Sequence, residues 1–427
     1  MPGPVEAVLV GAGNRGARVY GAYALANPEH LRFVAVVDPD AGRRGSFATA
    51  HGIPADRQFR AWEELAARAP LVPIAFNATL DGTHRASTLG LLAAGYDLLL
   101  EKPIATTPDD VLDVARAAER HGRTLQISHV LRYAPFFKTI HDLVRGGDLG
   151  DVVSIDWREN LVYWHYAHSF VRGNWSNASR TAPMLLTKCC HDLDLLVWML
   201  GPTCEHIASH GEQRYFTSAR VGPEVPARCT DGCPYAEQCL YYAPRLYLNR
   251  LAEDPHNFTV NAITLDHTEQ GVLRALESGP YGRCVYRCDN DVVDHQAVLM
   301  HFGGGQAVTL TMQGASYVEG RTVRIDGMRA TLLANEARNE ISVIDHGSGK
   351  RREVEIPAAR GGHGGGDWGL IEAFLSAVRG ERDGLRTSAR ESVESHLMAF
   401  AAEEARVTGR TVWMDEFRAG VRERAVV

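Results

Sequence analysis

The stretch Val8-Leu9-Val10-Gly11-Ala12-Gly13-Asn14-Arg15-Gly16 constrains this chain more than any other. Residues 5–12 read as a buried strand, and residues 16 to about 27 read as a helix. Gly11 permits a tight turn between them, Gly13 lets a pyrophosphate approach the backbone, and Gly16 lets the helix pack on the strand. The free N–H groups of the helix N-terminus then face the phosphates. A second strand, Leu31–Val37, ends at Asp38, 22 residues after Gly16, the spacing expected for a carboxylate on an adenosine ribose. The segment predicts a dinucleotide cradle. The carboxylate repels a 2′-phosphate, so NAD is expected in preference to NADP. Arg43 and Arg44 read as solvated helix-face charges.

The alternation continues. Strands are expected over 72–77, 96–100 and 124–128, with helices over 84–94 and 108–121 between them. Such alternation predicts a doubly wound parallel α/β sheet of Rossmann type over residues 1–130. Beyond it, 152–159, 292–302, 307–313 and 322–325 alternate like strands of an open sheet, with helices around 135–145 and 185–200. Residues 131–427 therefore read as an α+β domain on one large, mostly antiparallel sheet. The run Arg360-Gly361-Gly362-His363-Gly364-Gly365-Gly366 reads as a flexible joint before helices near 367–379 and 388–408.

The 427 residues, 45% hydrophobic, suffice for two domains with a sizeable core. The formal charge of −7 argues against a nucleic-acid or membrane-surface partner. No apolar stretch approaches the ~20 residues that span a bilayer. No charged-then-apolar leader is seen at Met1-Pro2-Gly3-Pro4, so a cytoplasmic location is expected.

Glu101-Lys102-Pro103 follows the apolar run 96–100 and places a lysine at a strand end, where a nicotinamide ring would lie. With the cradle, it points to hydride chemistry. These motifs, with Thr79 and His84, and with His191 and Asp194 before Trp198 and Gly201, resemble the Gfo/Idh/MocA oxidoreductases over nearly the whole length. The resemblance implies a sugar or cyclitol substrate and a homodimer or homotetramer. It implies cofactor contacts from Gly11, Gly13, Asn14, Arg15, Gly16, Asp38, Thr79, His84, Glu101 and Lys102. Lys102 matches the active-site lysine, whose charge favours a developing alkoxide. His191 matches the general base, an imidazole that can take a hydroxyl proton.

One departure stands out. The family carries an aspartate four residues before this histidine, where this chain has Thr187. Lys188, three residues before His191, is close enough to share its face. A cation there is expected to depress the proton affinity of His191 and to attract an anionic substrate, which makes Lys188 a third catalytic candidate. The bland alternative is a lysine in solvent or paired with Asp192. The aromatic, cationic loop around 163–175 suits a sugar, and His168, Arg172 and Trp175 are candidate substrate contacts, with Asp192, His295 and His363. The same loop could equally pack on its own aromatics.

Cys229, Cys233 and Cys239 lie within eleven residues, with Gly and Pro between them. With Cys284 as fourth ligand, chosen over Cys288 and Cys204, they would form a closed structural zinc site. Free thiols, a disulfide or an iron–sulfur cluster are the alternatives. The site would staple an insertion, about 204–290, that shows little apolar periodicity. Two enzyme readings follow. The leading one is an NAD-dependent oxidoreductase that moves hydride between a ring carbinol and nicotinamide. The other is a redox-neutral glycoside hydrolase that oxidises transiently, eliminates, adds water and re-reduces, with His165, His168, His295 and His363 as extra acid–base groups. A non-enzymatic cofactor sensor is disfavoured because Lys102 and His191 are both present.

Overall fold

The apolar runs pair into two sheets. The computed structural model describes residues 3–381 and 386–424, so Met1 and Pro2 of the N-terminal reading lie outside it. The first sheet is parallel throughout, in the order β3-β2-β1-β4-β5-β6. Its strands are β1 (Val5–Val10), β2 (Leu31–Val37), β3 (Gln58–Phe59), β4 (Ile74–Asn77), β5 (Asp97–Leu100) and β6 (Leu125–Ile127). They are buried on both faces, as a sheet covered by helices on each side requires. The order reverses between β1 and β4, which opens a crevice beyond their C-terminal ends. Gly11, with φ of +94°, turns the chain there. The following helix opens with a π-helical turn, Gly16–Gly21, and continues over Ala22–Ala26.

The second sheet has nine strands in the order β14-β13-β12-β11-β7-β10-β9-β8-β15. They are β7 (Val152–Val162), β8 (Cys204–Glu212), β9 (His295–Phe302), β10 (Ala307–Ser316), β11 (Gly320–Gly327), β12 (Ala330–Asn335), β13 (Glu340–Asp345), β14 (Arg351–Glu353) and β15 (Val412–Trp413). Only β7 and β10 run parallel. Period two divides the faces: Val308, Leu310 and Met312 are buried, while Ala307 and Thr309 are exposed. Helices Met184–Leu200 and Ala389–Thr408 pack against each other on the buried side. The longer helix begins with a capping box, Ser388 with Glu391.

Two expectations change. The insertion begins after Glu212, because Cys204 opens β8 and pairs with Phe302 of β9. It is not without a core: helices Ala243–Glu253, Phe258–Ile263 and Glu269–Ser278 bury Leu246, Tyr247, Leu251, Val260, Val272 and Leu276 together. The glycine joint is packed rather than free. A Cβ on Gly366 would run into the Val130 carbonyl, and one on Gly361 into the Trp368 ring. No helix among the described residues is long and apolar enough to cross a membrane.

The cradle glycines separate fold from ligand. A Cβ on Gly16 would collide with the Gly11 carbonyl oxygen, whereas one on Gly13 meets nothing within 4 Å. Gly16→Ala is expected to lower stability by about 3 kcal/mol and Gly13→Ala by less than about 1 kcal/mol. Urea midpoints of the two variants would check this, and equal losses would contradict it.

Candidate active site

The crevice carries the cradle's polar groups. Asp38 is buried, its Oδ2 accepting from Ala12 N at 2.7 Å and its Oδ1 from Asp40 N at 2.8 Å. Each carboxylate oxygen keeps a lone pair for a ribose hydroxyl. Arg44 is half-buried, and its Nη1 donates to the Asp38 carbonyl at 2.6 Å. The space in front of Gly13 and the fixed carboxylate fit a dinucleotide.

Several expected cofactor contacts turn out to build the cradle instead. Arg15 points inward: its Nε donates to Glu101 Oε1 at 2.6 Å and its Nη1 to Asp367 Oδ1 at 2.8 Å. Glu101 also accepts from Tyr20 and Ser128. Burial would raise the Glu101 pKa, but Arg15 and the Tyr20 hydroxyl hold it below the usual value. His84 is fully buried between the Pro103 carbonyl, 2.6 Å from Nδ1, and the Thr79 carbonyl, 3.0 Å from Nε2. It ties the turn after β5 to the turn after β4. Thr79 donates to Asn77 Oδ1 at 2.9 Å. Asn14 donates from Nδ2 to the Phe258 carbonyl of the insertion at 3.0 Å.

The two residues expected to react converge from two segments. Lys102, after β5 and on a cis peptide to Pro103, donates from Nζ to the Thr187 carbonyl at 2.8 Å. Thr187 lies one turn before His191 on the helix Met184–Leu200, so lysine and imidazole meet on one face. His191 is 7% exposed, and its Nδ1 has no partner. Burial first, then the charges of Lys102, His129, His363 and Arg321, push its pKa well below the imidazole value. His363, from the glycine joint, stands with its ring 6.4 Å from that of His191, its Nδ1 2.9 Å from Asp367 Oδ2. His129 backs His191 at 5.6 Å, with neither of its ring nitrogens hydrogen-bonded. Below His191, Asp194 takes a bidentate pair from Arg132 at 2.6 and 2.7 Å.

Lys188 does not share the face of His191. It points with Asp192 toward the sheet, its Nζ 3.1 Å from Glu159 and 3.4 Å from Glu319. Burial pushes Glu159 up to about 7 against the pull of Arg321 and Lys188. Burial would also raise Glu319, but His165 and Lys188 bring it to about 2. The lowered proton affinity of His191 thus comes from burial and Lys102 rather than from Lys188. Asp192 is fully buried, accepting from Trp157 Nε1 and Arg321 Nε, each at 2.7 Å, and it anchors the helix to the sheet instead of meeting substrate.

Three substrate-contact candidates are reassigned. Arg172 is 1% exposed and donates to the carbonyls of Arg283 and Tyr241, each at 2.7 Å, so it holds the insertion rather than an anion. His168 is buried against Tyr281 and hydrogen-bonded to the Tyr247 hydroxyl. His295 lies with Ala297 and Leu299 on the outer face of the sheet, away from the helix that carries His191. Trp175 stays near the crevice, its Nε1 2.8 Å from Asp81 Oδ2. Sequence reasoning missed Glu159, Glu319, Arg321, His129 and Asp367. Only Asp367, four residues after His363 at a helix start, left a local signal.

All eight cysteines are free. The ligand set Cys229, Cys233, Cys239 and Cys284 is not assembled for zinc. Among the described residues, the one group of three ligand atoms lying within 4.8 Å of one another is Glu205, His206 and His301, at the sheet edge. The insertion's apolar cluster and the bonds of Arg172 supply the holding that a metal was expected to provide. An open groove of about 520 Å³, lined by Asp156, Arg158, Thr309 and Arg324 among others, lies on the outer sheet face and is unrelated to the crevice.

The sequence matches the Gfo/Idh/MocA profile for an oxidoreductase family, NAD-binding Rossmann fold, over residues 5–129, and its companion C-terminal alpha/beta domain over residues 141–414. The chain belongs to the Gfo/Idh/MocA oxidoreductase family. YteT of Bacillus subtilis, named as an oxidoreductase, is 26% identical over 310 residues, 68% of this chain and 69% of YteT. The trans-1,2-dihydrobenzene-1,2-diol dehydrogenase of Oryctolagus cuniculus is 35% identical over 141 residues, 33% of this chain and 42% of that enzyme. Among solved structures, the aldose-aldose oxidoreductase of Caulobacter crescentus superposes with a TM-score of 0.69 at 15% identity, covering 96% of this chain and 99% of that one. Levoglucosan dehydrogenase, in complex with NADH and levoglucosan, gives the same values. At that identity both bear on the fold alone.

The buried histidines make this oxidoreductase acid-sensitive. Burial lowers the pKa of His129, His168 and His191 and brings His396 to about 3. The ring of His396 accepts from Ile104 N at 3.0 Å, a bond that protonation would break. Below about pH 6.5 the unfolded chain binds protons that the folded chain refuses. Stability is then complete above that pH and falls as pH drops, by up to about 1.4 kcal/mol per pH unit for each histidine. Urea midpoints should fall between pH 7.5 and 5.5, and a flat profile would contradict the assignment.

Proposed function

We propose that this oxidoreductase acts on a ring carbinol of a neutral sugar or sugar derivative. The observation that carries the reading is the convergence of Lys102, pinned to the Thr187 carbonyl, with the unpartnered imidazole of His191. His191, kept neutral by burial, takes the hydroxyl proton. The Lys102 ammonium stabilises the oxygen as it becomes an alkoxide. NAD, when bound along the Gly11–Gly16 turn and Asp38, supplies the hydride acceptor. His363, its ring 6.4 Å from that of His191, would orient the sugar ring. An anionic substrate is not favoured. Lys188 and Arg321 already face four carboxylates, Glu159, Asp192, Glu319 and Glu336.

A second reading, redox-neutral glycoside hydrolysis, draws support from two further acid–base groups near the reacting pair. His363 is paired with Asp367, and His165 Nδ1 lies 2.9 Å from Glu319. In this reading both would move protons at neighbouring ring positions.

Incubation with NAD and a panel of neutral sugars, uronates and aryl glycosides would separate the readings. NADH accumulating with a neutral sugar is the expected result, and aglycone release without net NADH would select the second. His191→Ala and Lys102→Ala should each lower kcat about 10²- to 10⁴-fold. An active His191→Ala enzyme would remove the base from this assignment.

A further inference from the structure

Strand β8 carries one residue more than the stretch of β9 it pairs with. Cys204 pairs with Phe302 and His206 with His301, so Glu205 has no opposite number and forms a β-bulge. A regular strand would point Glu205 and His206 to opposite faces, and the extra residue lets both point the same way. Burial follows this arrangement. Cys204 and Ile207 are buried, Glu205 is exposed and His206 half-buried, on the outer face that also carries His301.

The three side chains meet on that face. His301 Nδ1 lies 3.0 Å from Glu205 Oε2. The rings of His206 and His301 stack across the two strands at 4.9 Å, 9° from parallel. One ligand atom from each of the three residues lies within 4.8 Å of the other two. A tetrahedral cation held at about 2.0–2.2 Å by nitrogen and oxygen sets its ligand atoms about 3.4 Å apart. Glu205 and His301 are exposed enough to close that difference by rotating their side chains. His206 Nδ1 is shielded from solvent and has no hydrogen-bond partner. Buried polar atoms are rarely left so, and this nitrogen has no hydrogen bond to give up when the ring turns toward a cation.

We infer that Glu205, His206 and His301 bind a divalent transition cation of the Zn²⁺ class. Two imidazoles and one carboxylate are a zinc-type ligand set that leaves a fourth position for water. Imidazole nitrogen selects against Mg²⁺ and Ca²⁺, which take oxygen ligands. The site acts as a clip. It joins β8 to β9, and Trp413 of the edge strand β15 pairs with His206 and packs its ring 4.8 Å from it. A cation bound only by the folded chain raises its stability. The clip lies on the outer sheet face, so it stands independently of the sugar chemistry proposed above.

Equilibrium dialysis against Zn²⁺ tests the clip on the full-length protein, His301→Ala and Glu205→Gln. The unaltered protein should hold one equivalent more than His301→Ala. Glu205→Gln should bind that equivalent at least about tenfold more weakly, since even partners outside the ligand set are worth that much. Any zinc taken up by the cysteines is common to all three proteins and cancels. Zn²⁺ should raise the thermal midpoint of the unaltered protein more than that of either variant. Glu205→Gln alters an exposed side chain and guards against misfolding of the histidine variant. Ni²⁺, a paramagnetic quencher, should dim a part of the tryptophan emission that Trp413→Phe removes. Equal zinc content and affinity in all three proteins would overturn the clip. Mg²⁺ displacing the extra Zn²⁺ at equal concentration would overturn the class of cation, and Ni²⁺ quenching unchanged in Trp413→Phe would overturn the location.

Discussion

The half-buried guanidinium of Arg15 is the interaction on which the geometry of the crevice depends. It joins three segments far apart in the chain: the glycine-rich turn, the Glu101-Lys102-Pro103 strand end and the Asp367 helix start. Burial would raise Asp367, but Arg15 and His363 keep it below the usual carboxylate range. Removing either acid would leave Arg15 with a single carboxylate partner and unfasten one of the three segments. The same contacts set where Lys102 begins and where His363 stands. The cradle and the residues proposed to move the proton are thus positioned by one network.

The helix Met184–Leu200 divides its polar residues between two neighbours. Thr187, His191 and Asp194 face the parallel sheet's domain and meet Lys102 and Arg132. Lys188 and Asp192 face the open sheet and meet Glu159, Trp157 and Arg321. With four buried anchors the helix has no freedom to rotate, so His191 stays aimed at the lysine. Such anchors are costly to bury and justified only when every partner is present. The histidines behind His191 extend this logic, because their burial keeps them neutral and the site free of competing cations.

Local signals were legible where one segment carries its own physics. The strand–turn–helix with Asp38, the alternation that winds the first sheet and the period-two strands of the second could each be read without tertiary contacts. Lys102 and His191 were singled out because their motifs resembled a family, and the fold brings their segments together. Lys188, Asp192, Arg172, His168 and His295 were misread for a common reason. Spacing tells which residues can share a helix or strand face, but not which neighbour that face meets. Glu159 and Glu319 come from β7 and the turn before β11, so nothing near Lys188 in sequence announced its partners. The cysteines were overread, because a compact run of thiols resembles a ligand set until the backbone fixes where each one points.

The sequence alone determined a dinucleotide cradle, a parallel sheet behind it and a lysine at a strand end, because glycine turns, apolar period and strand ends are local properties of a chain. Only the tertiary structure decided that Arg15 and Glu101 brace the cradle, that Lys188 meets Glu159 and Glu319, and that the insertion hydrogen-bonds to the glycine-rich turn. Those outcomes depend on which desolvated charges and hydrogen-bonding groups meet across hundreds of residues, and burial energetics settle that only when the whole chain has packed.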